Sequence, residues 1–126
     1  MNKFEQLSPL ALAFMGDAIH TAYVRKYVLD GEPNKLNNYH NSAKKFCNAK
    51  NQMDTLEILQ PSLTEEEAEI VRKARNCHSK HTAKNFDEET YKKATAYEAL
   101  VGYLYLNNKT ARLDEVLKAS INKEAK

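Results

Sequence analysis

Asp17 and Glu98 are single carboxylates set into otherwise apolar stretches. Asp17 interrupts the run from Leu10 to Ile19, and Glu98 interrupts the run from Ala94 to Leu106. An ionised carboxylate in an apolar setting is costly unless a cation or hydrogen bonds compensate it. Two carboxylates brought to one point from different segments can hold a hard divalent cation such as magnesium, with water and a substrate phosphate completing its shell. Such an ion activates water and stabilises the charge of a displaced phosphate. The structural alternative satisfies Asp17 with a backbone amide or an arginine and buries Glu98 in an ion pair. Composition alone leaves both readings open.

Other reactive residues carry less. Cys47, Cys77, His40, His78 and His81 suggest zinc, but no Cys-x-x-Cys pair is present and the spacing fits no common closed site. Cys47 reads as a small core residue. No Ser-His-Asp set and no glycine-rich phosphate loop can be read. Tyr97, Tyr103 and Tyr105 read as core and interface residues rather than base-stacking platforms.

Positive charge is grouped. Val71 to Lys84 holds Arg72, Lys73, Arg75, Lys80 and Lys84 without an acid, and Pro33 to Met53 holds Lys35, Lys44, Lys45 and Lys50. The two windows contain nine of the nineteen Lys and Arg residues, so charge is concentrated although the net charge is only +2. Such clusters bind phosphate backbones, and Asn76, Ser79 and Thr82 add neutral donors. A solvated, solubilising helix face is the competing reading.

The elements that must position these residues are helical. Three Gly and three Pro give little punctuation for strands. Ser8 and Pro9 read as an N-cap and first helical position. Leu10, Ala11, Phe14, Met15, Ala18, Ile19 and Ala22 then recur at helical spacing, predicting a helix to about Leu29 with Asp17 at the edge of the stripe. A polar helix with room for a bend is expected from about Leu36 to Leu59, ended by Pro61. Thr64 and Glu67 match a capping box opening a helix to about Asn76. Cys77 to Phe86 reads as a loop. Asp87 caps a helix that is apolar on nearly every face from Ala94, hence central and buried. Asn107 and Asn108 stop it. A final amphipathic helix carries Leu113, Val116, Leu117 and Ile121, and residues 122–126 read as a frayed tail.

Residues 1–126 read as one domain with one core. Hydrophobic residues at 42% and charged residues at 29% are ordinary for a globular chain. No apolar run is long enough to span a bilayer, no secretory signal is read, and two cysteines make no disulfide framework. A reduced cytoplasmic setting is the expectation.

Two segments, Phe14-Met15-Gly16-Asp17-Ala18 and Glu98 to Leu106, resemble the catalytic domain of ribonuclease III enzymes. Between them stand Phe46-Cys47-Asn48-Ala49-Lys50-Asn51-Gln52 and Arg72-Lys73-Ala74-Arg75-Asn76, with Lys84-Asn85 following. Taken whole, the chain resembles the short bacterial branch of that family, Mini-ribonuclease III, which lacks a double-stranded RNA-binding domain. The resemblance implies an all-α, dimeric domain that cuts double-stranded RNA with Mg2+, in maturation of the large-subunit ribosomal RNA precursor. It implies Asp17 and Glu98 as catalytic metal-site residues and places the helix of Phe14 and Met15 at the dimer interface. RNA contacts fall to Lys44, Lys50, Arg72, Arg75, Asn76, Ser79, Lys80 and Lys84, and a ribosomal protein is a candidate for presenting the substrate. Longer members carry further carboxylates where this chain has Ala13 and Thr95, so more of the metal shell is left to water and RNA. The alternative kept beside this reading is a non-catalytic helical dimer that binds structured RNA or a ribosomal partner.

Overall fold

Ser8 accepts the amide of Ala11 at 3.1 Å, and Pro9 takes the first helical position. The first helix, α1, therefore starts at the predicted signal and runs Pro9–Leu29. The structure is a computed structural model and describes residues 6–77 and 88–122; among these there are six helices and no strand.

The helix expected from Leu36 to Leu59, with a bend allowed within it, is two helices, α2 (Leu36–Lys44) and α3 (Ala49–Leu59). Asn48 makes the break. Its side-chain amide donates to the Lys44 carbonyl at 2.7 Å, while its side-chain oxygen accepts the Asn51 amide at 2.8 Å. One residue thus ends one helix and caps the next. Pro61 follows α3 in a short 3-10 turn, Gln60–Ser62.

α4 spans Glu65–Arg75 and opens on the expected capping box, with Thr64 and Glu67 exchanging bonds of 3.1 Å. Glu67 is buried, and the Arg112 guanidinium donates to it at 3.0 Å, which ties α4 to the last helix. α5 spans Glu88–Leu106 and α6 spans Thr110–Ile121. Asn108 between them has φ 58°, the left-handed region that Asn tolerates better than most residues. The loop expected at Cys77 to Phe86 and the Asp87 cap lie, but for Cys77, outside the described residues, as does the tail after Asn122.

α5 is the central helix. Ala96, Tyr97, Ala99, Leu100, Val101 and Leu104 are fully buried, with α1, α3, α4 and α6 packed around them. The buried face of α1 differs from the expected stripe. Leu12, Ala13, Gly16, His20 and Val24 face the core, whereas Leu10 is 41% and Phe14 82% exposed.

Candidate active site

The site begins with a helix crossing. Gly16 on α1 lies against the main chain of α5: a β-carbon there would overlap the Glu98 carbonyl and stand 2.9 Å from the Gly102 nitrogen. The contact is reciprocal, since a β-carbon on Gly102 would strike the Leu12 carbonyl and stand 3.1 Å from the Gly16 nitrogen. Two of the three glycines in the chain therefore let α1 and α5 touch backbone to backbone. Asp17 follows the contact on one helix and Glu98 forms it on the other.

The two carboxylates meet there. Glu98 is half-buried, and its interacting neighbours are the Asp17 carboxyl and the Gln52 amide, whose Nε2 lies 3.5 Å from Glu98 Oε2. Burial first, then Asp17, pushes the Glu98 carboxyl up to about 9, and the Gln52 hydrogen bond opposes that rise. Asp17 is exposed and lines an open cavity of about 680 Å³ along α1, with Ala18, Thr21 and Arg25. Neither carboxylate pairs with a Lys or Arg among the described residues. The buried ion pair considered for Glu98 is thus replaced by an acid and a neutral amide.

Beneath the carboxylates, His20 staples α1 to α5. Its Nε2 lies 2.8 Å from the Phe46 carbonyl and its Nδ1 2.9 Å from the Tyr97 hydroxyl. A carbonyl only accepts, which assigns the proton to Nε2 and makes Nδ1 the acceptor of the Tyr97 hydroxyl. Burial raises the Tyr97 hydroxyl well above the usual phenol range and keeps it a donor. His20 is one turn beyond Asp17 and Tyr97 adjoins Glu98, so the staple fixes the helices directly under the pair.

Ala13 and Thr95 are both buried. A carboxylate at either position would have to be desolvated, and neutral side chains avoid that cost. No cluster of three or more His, Cys, Asp or Glu residues suited to a metal occurs among the described residues. The two carboxylates, both hard oxygen donors, are the candidate protein ligands there. This fits magnesium, which binds through one or two carboxylates and keeps water and phosphate for the rest. Cys47 is half-buried and near Thr21, and burial raises its thiol, so it is no reactive thiolate.

The basic windows look different in space. Arg72 forks onto Glu69 at 2.7 and 2.9 Å, Arg75 meets Glu89 of α5 at 2.7 Å, and Lys50 meets Asp54 at 3.0 Å. Segments free of acids in sequence thus meet acids from an adjacent turn or another helix. These pairs are largely exposed, and such pairs are weak enough for a phosphate to compete. Lys44 and Asn76 are exposed at the ends of α2 and α4. Ser79, Lys80 and Lys84 lie outside the described residues. Met15 is half-buried, whereas Phe14 projects into solvent.

The sequence alone assigns no role to Gly16, Gly102, His20 or Gln52. A signal existed for the glycines. Glycine inside a helix costs about 1 kcal/mol relative to alanine, so two of them beside the two isolated carboxylates mark a close approach.

Residues 10–109 match the Ribonuclease III domain family. The chain is 44% identical to the Mini-ribonuclease 3 of Staphylococcus aureus, over 95% of this chain and 91% of that one. It is 42% identical to the Mini-ribonuclease 3 of Brevibacillus brevis, over 88% and 83% respectively. A crystal structure of a protein from Fusobacterium nucleatum superposes with a TM-score of 0.87 at 31% identity, covering 98% of this chain and 99% of that one.

The all-helical fold and the match over most of its length define a ribonuclease III-type nuclease. The chain belongs to the ribonuclease III family, in its Mini-ribonuclease 3 branch. It is an endoribonuclease acting on double-stranded RNA.

Proposed function

We propose that the whole chain acts as one catalytic domain that hydrolyses phosphodiester bonds of duplex RNA with magnesium held by Asp17 and Glu98. The observation that carries this reading is the meeting of two carboxylates from different helices with no Lys or Arg paired to either among the described residues. A bound magnesium ion supplies charge to the phosphate and an activated water at neutral pH. The residues of the chain hold and orient. Asp17 stands at the open cavity, where a phosphate can reach it, and Glu98 stands behind it in a drier setting. No side chain is required as a strong base.

Duplex RNA is read by shape and by phosphate and 2′-hydroxyl contacts. In this reading such contacts fall to Lys44, Lys50, Arg72, Arg75 and Asn76, and to Ser79, Lys80 and Lys84, which lie outside the described residues. The exposed Leu7, Leu10 and Phe14 form an apolar run at the start of α1 that suits a two-fold homodimer, one site facing each strand. The resemblance supports a large-subunit ribosomal RNA precursor as the natural substrate and the cytoplasm as the setting. A ribosomal protein presenting that precursor belongs to the same reading. No helix among the described residues is long and apolar enough to cross a membrane.

The test is incubation of the purified protein with a long RNA duplex, with and without magnesium. Defined double-strand products only with magnesium are expected; cutting that persists in excess chelator refutes the metal assignment. Persistence of immature large-subunit ribosomal RNA ends in cells lacking the protein tests the substrate.

A further inference from the structure

Gln52 is an unusual resident of the core. It is 6% exposed on the inner face of α3, where leucine would pack at lower cost. Its side-chain hydrogen bond among the described residues is the one to Glu98 Oε2, at 3.5 Å.

The helix that carries Gln52 is held from several sides. Asn51 donates to the Phe46 carbonyl at 2.9 Å and to the Ser120 carbonyl at 3.2 Å, linking α3 to α6. The same Phe46 carbonyl accepts from His20, linking it to α1. The main-chain N–H of Gln52 donates to the Asn48 carbonyl at 3.1 Å, within the capped first turn. A side chain on so fixed a turn has little freedom to choose its direction, and this one points at a candidate metal ligand.

The arrangement follows an electrostatic logic. Asp17 and Glu98 repel one another when both are charged, and no described Lys or Arg intervenes. A lysine or arginine in place of Gln52 would satisfy Glu98 and compete with a cation. A third carboxylate would attract a cation at all times. A neutral amide donor does neither: it holds one oxygen of Glu98 and leaves the negative charge of the pair available. Partners of this kind, which orient a ligand without touching the metal, typically change metal affinity about 10–100-fold when removed.

We propose that Gln52 is a positioning residue, whose amide holds Glu98 Oε2 so that Glu98 is presented beside Asp17 for a divalent cation. The inference rests on the reading of Asp17 and Glu98 as the metal site.

The test uses the full-length protein in four forms: wild type, Glu98→Gln, Gln52→Leu and Gln52→Glu. Two quantities are measured. One is the calcium concentration giving half the calcium-induced rise in melting temperature of the RNA-free protein. The other is the magnesium concentration for half-maximal duplex cleavage. Gln52→Leu is expected to raise both midpoints about tenfold or more, while the cleavage rate at saturating magnesium stays within about threefold of wild type. Gln52→Glu is expected to lower the calcium midpoint, because it adds a third hard oxygen ligand. A purely packing role predicts lower melting temperatures with both midpoints unmoved, and that result overturns the proposal even if only Gln52→Leu folds well enough to measure. Loss of the calcium response in Glu98→Gln with an unchanged response in Gln52→Leu also overturns it while sparing the metal site. A wild-type calcium response in Glu98→Gln instead sinks the metal-site reading itself.

Discussion

Gly16 rests on the main-chain carbonyl of Glu98, with no space between them for a β-carbon. The catalytic candidates therefore sit together because two helices cross without side chains in the way. Gly16→Ala and Gly102→Ala should each force α1 and α5 apart. Overpacking costs about 1–3 kcal/mol or more, and the atoms to be displaced here are backbone rather than flexible side chain. A fall in melting temperature of roughly 5 °C or more is expected by circular dichroism. A melting curve superimposable on wild type would refute the close crossing.

Asp17→Asn and Glu98→Gln should abolish magnesium-dependent cutting, a loss of roughly a thousandfold or more, since a bound metal contributes several kcal/mol of charge stabilisation. Both substitutions keep shape, so far-ultraviolet circular dichroism should not change. Calcium should support RNA binding by wild type better than it supports cutting. Wild-type cleavage rates in either variant contradict the assignment.

The metal-free fold should lose stability as pH rises from about 4 toward 9. Burial, then Asp17, holds the Glu98 carboxyl at about 9, so the folded chain keeps a proton that the unfolded chain releases above roughly 4.3. The folded state binds more protons throughout that window, and stability falls with pH by up to about 1.4 kcal/mol per unit. Below the unfolded value the penalty is absent. Glu98→Gln should flatten the profile and raise the melting temperature at pH 8 in chelator. Divalent cations need the charged carboxylate, so their stabilising effect should grow with pH across the same range. Parallel pH profiles for wild type and Glu98→Gln, with chelator present, are the outcome that contradicts this.

Phe14→Ala should dissociate the proposed two-fold dimer while leaving the protomer folded. The side chain is 82% exposed in a single chain, so its removal opens no cavity there. Burial in a well-packed interface would make truncation cost about 3–5 kcal/mol at each copy. Sedimentation velocity at micromolar concentration should show a dimer for wild type and a monomer for the variant. A monomeric wild type rules the interface out.

Arg75→Ala should weaken duplex binding for all sequences and lower the salt slope by about one unit. Glu89→Gln should act in the opposite direction, because Glu89 holds the Arg75 guanidinium at 2.7 Å and competes with phosphate. Titration of a labelled duplex at several salt concentrations checks both. Equal affinities and slopes for the two variants would remove Arg75 from the RNA-binding surface.

Local signals decided the helix ends. The Ser8 cap, the Thr64–Glu67 capping box and the stop at Asn107 and Asn108 each act within one turn, so the sequence alone determined them. The break at Asn48 is also local, but its two bonds run in opposite directions along the chain, so helical composition allowed a bend without placing it. The two carboxylates were readable because isolated charge in apolar surroundings demands compensation. The partner of Glu98 was not readable: Gln52 lies one turn before Leu56 and two before Leu59, but a polar side chain at that position does not say which residue of another helix it meets. Likewise α1 is apolar on two sides. Leu10, Phe14 and Ala18 make as good a stripe as Leu12, Ala13 and Gly16, and hydrophobicity is non-directional. Only the tertiary structure chose between them, because Gly16 and Gly102 allow one face of α1 to approach the α5 backbone, and that contact left Phe14 outside and placed Asp17 beside Glu98.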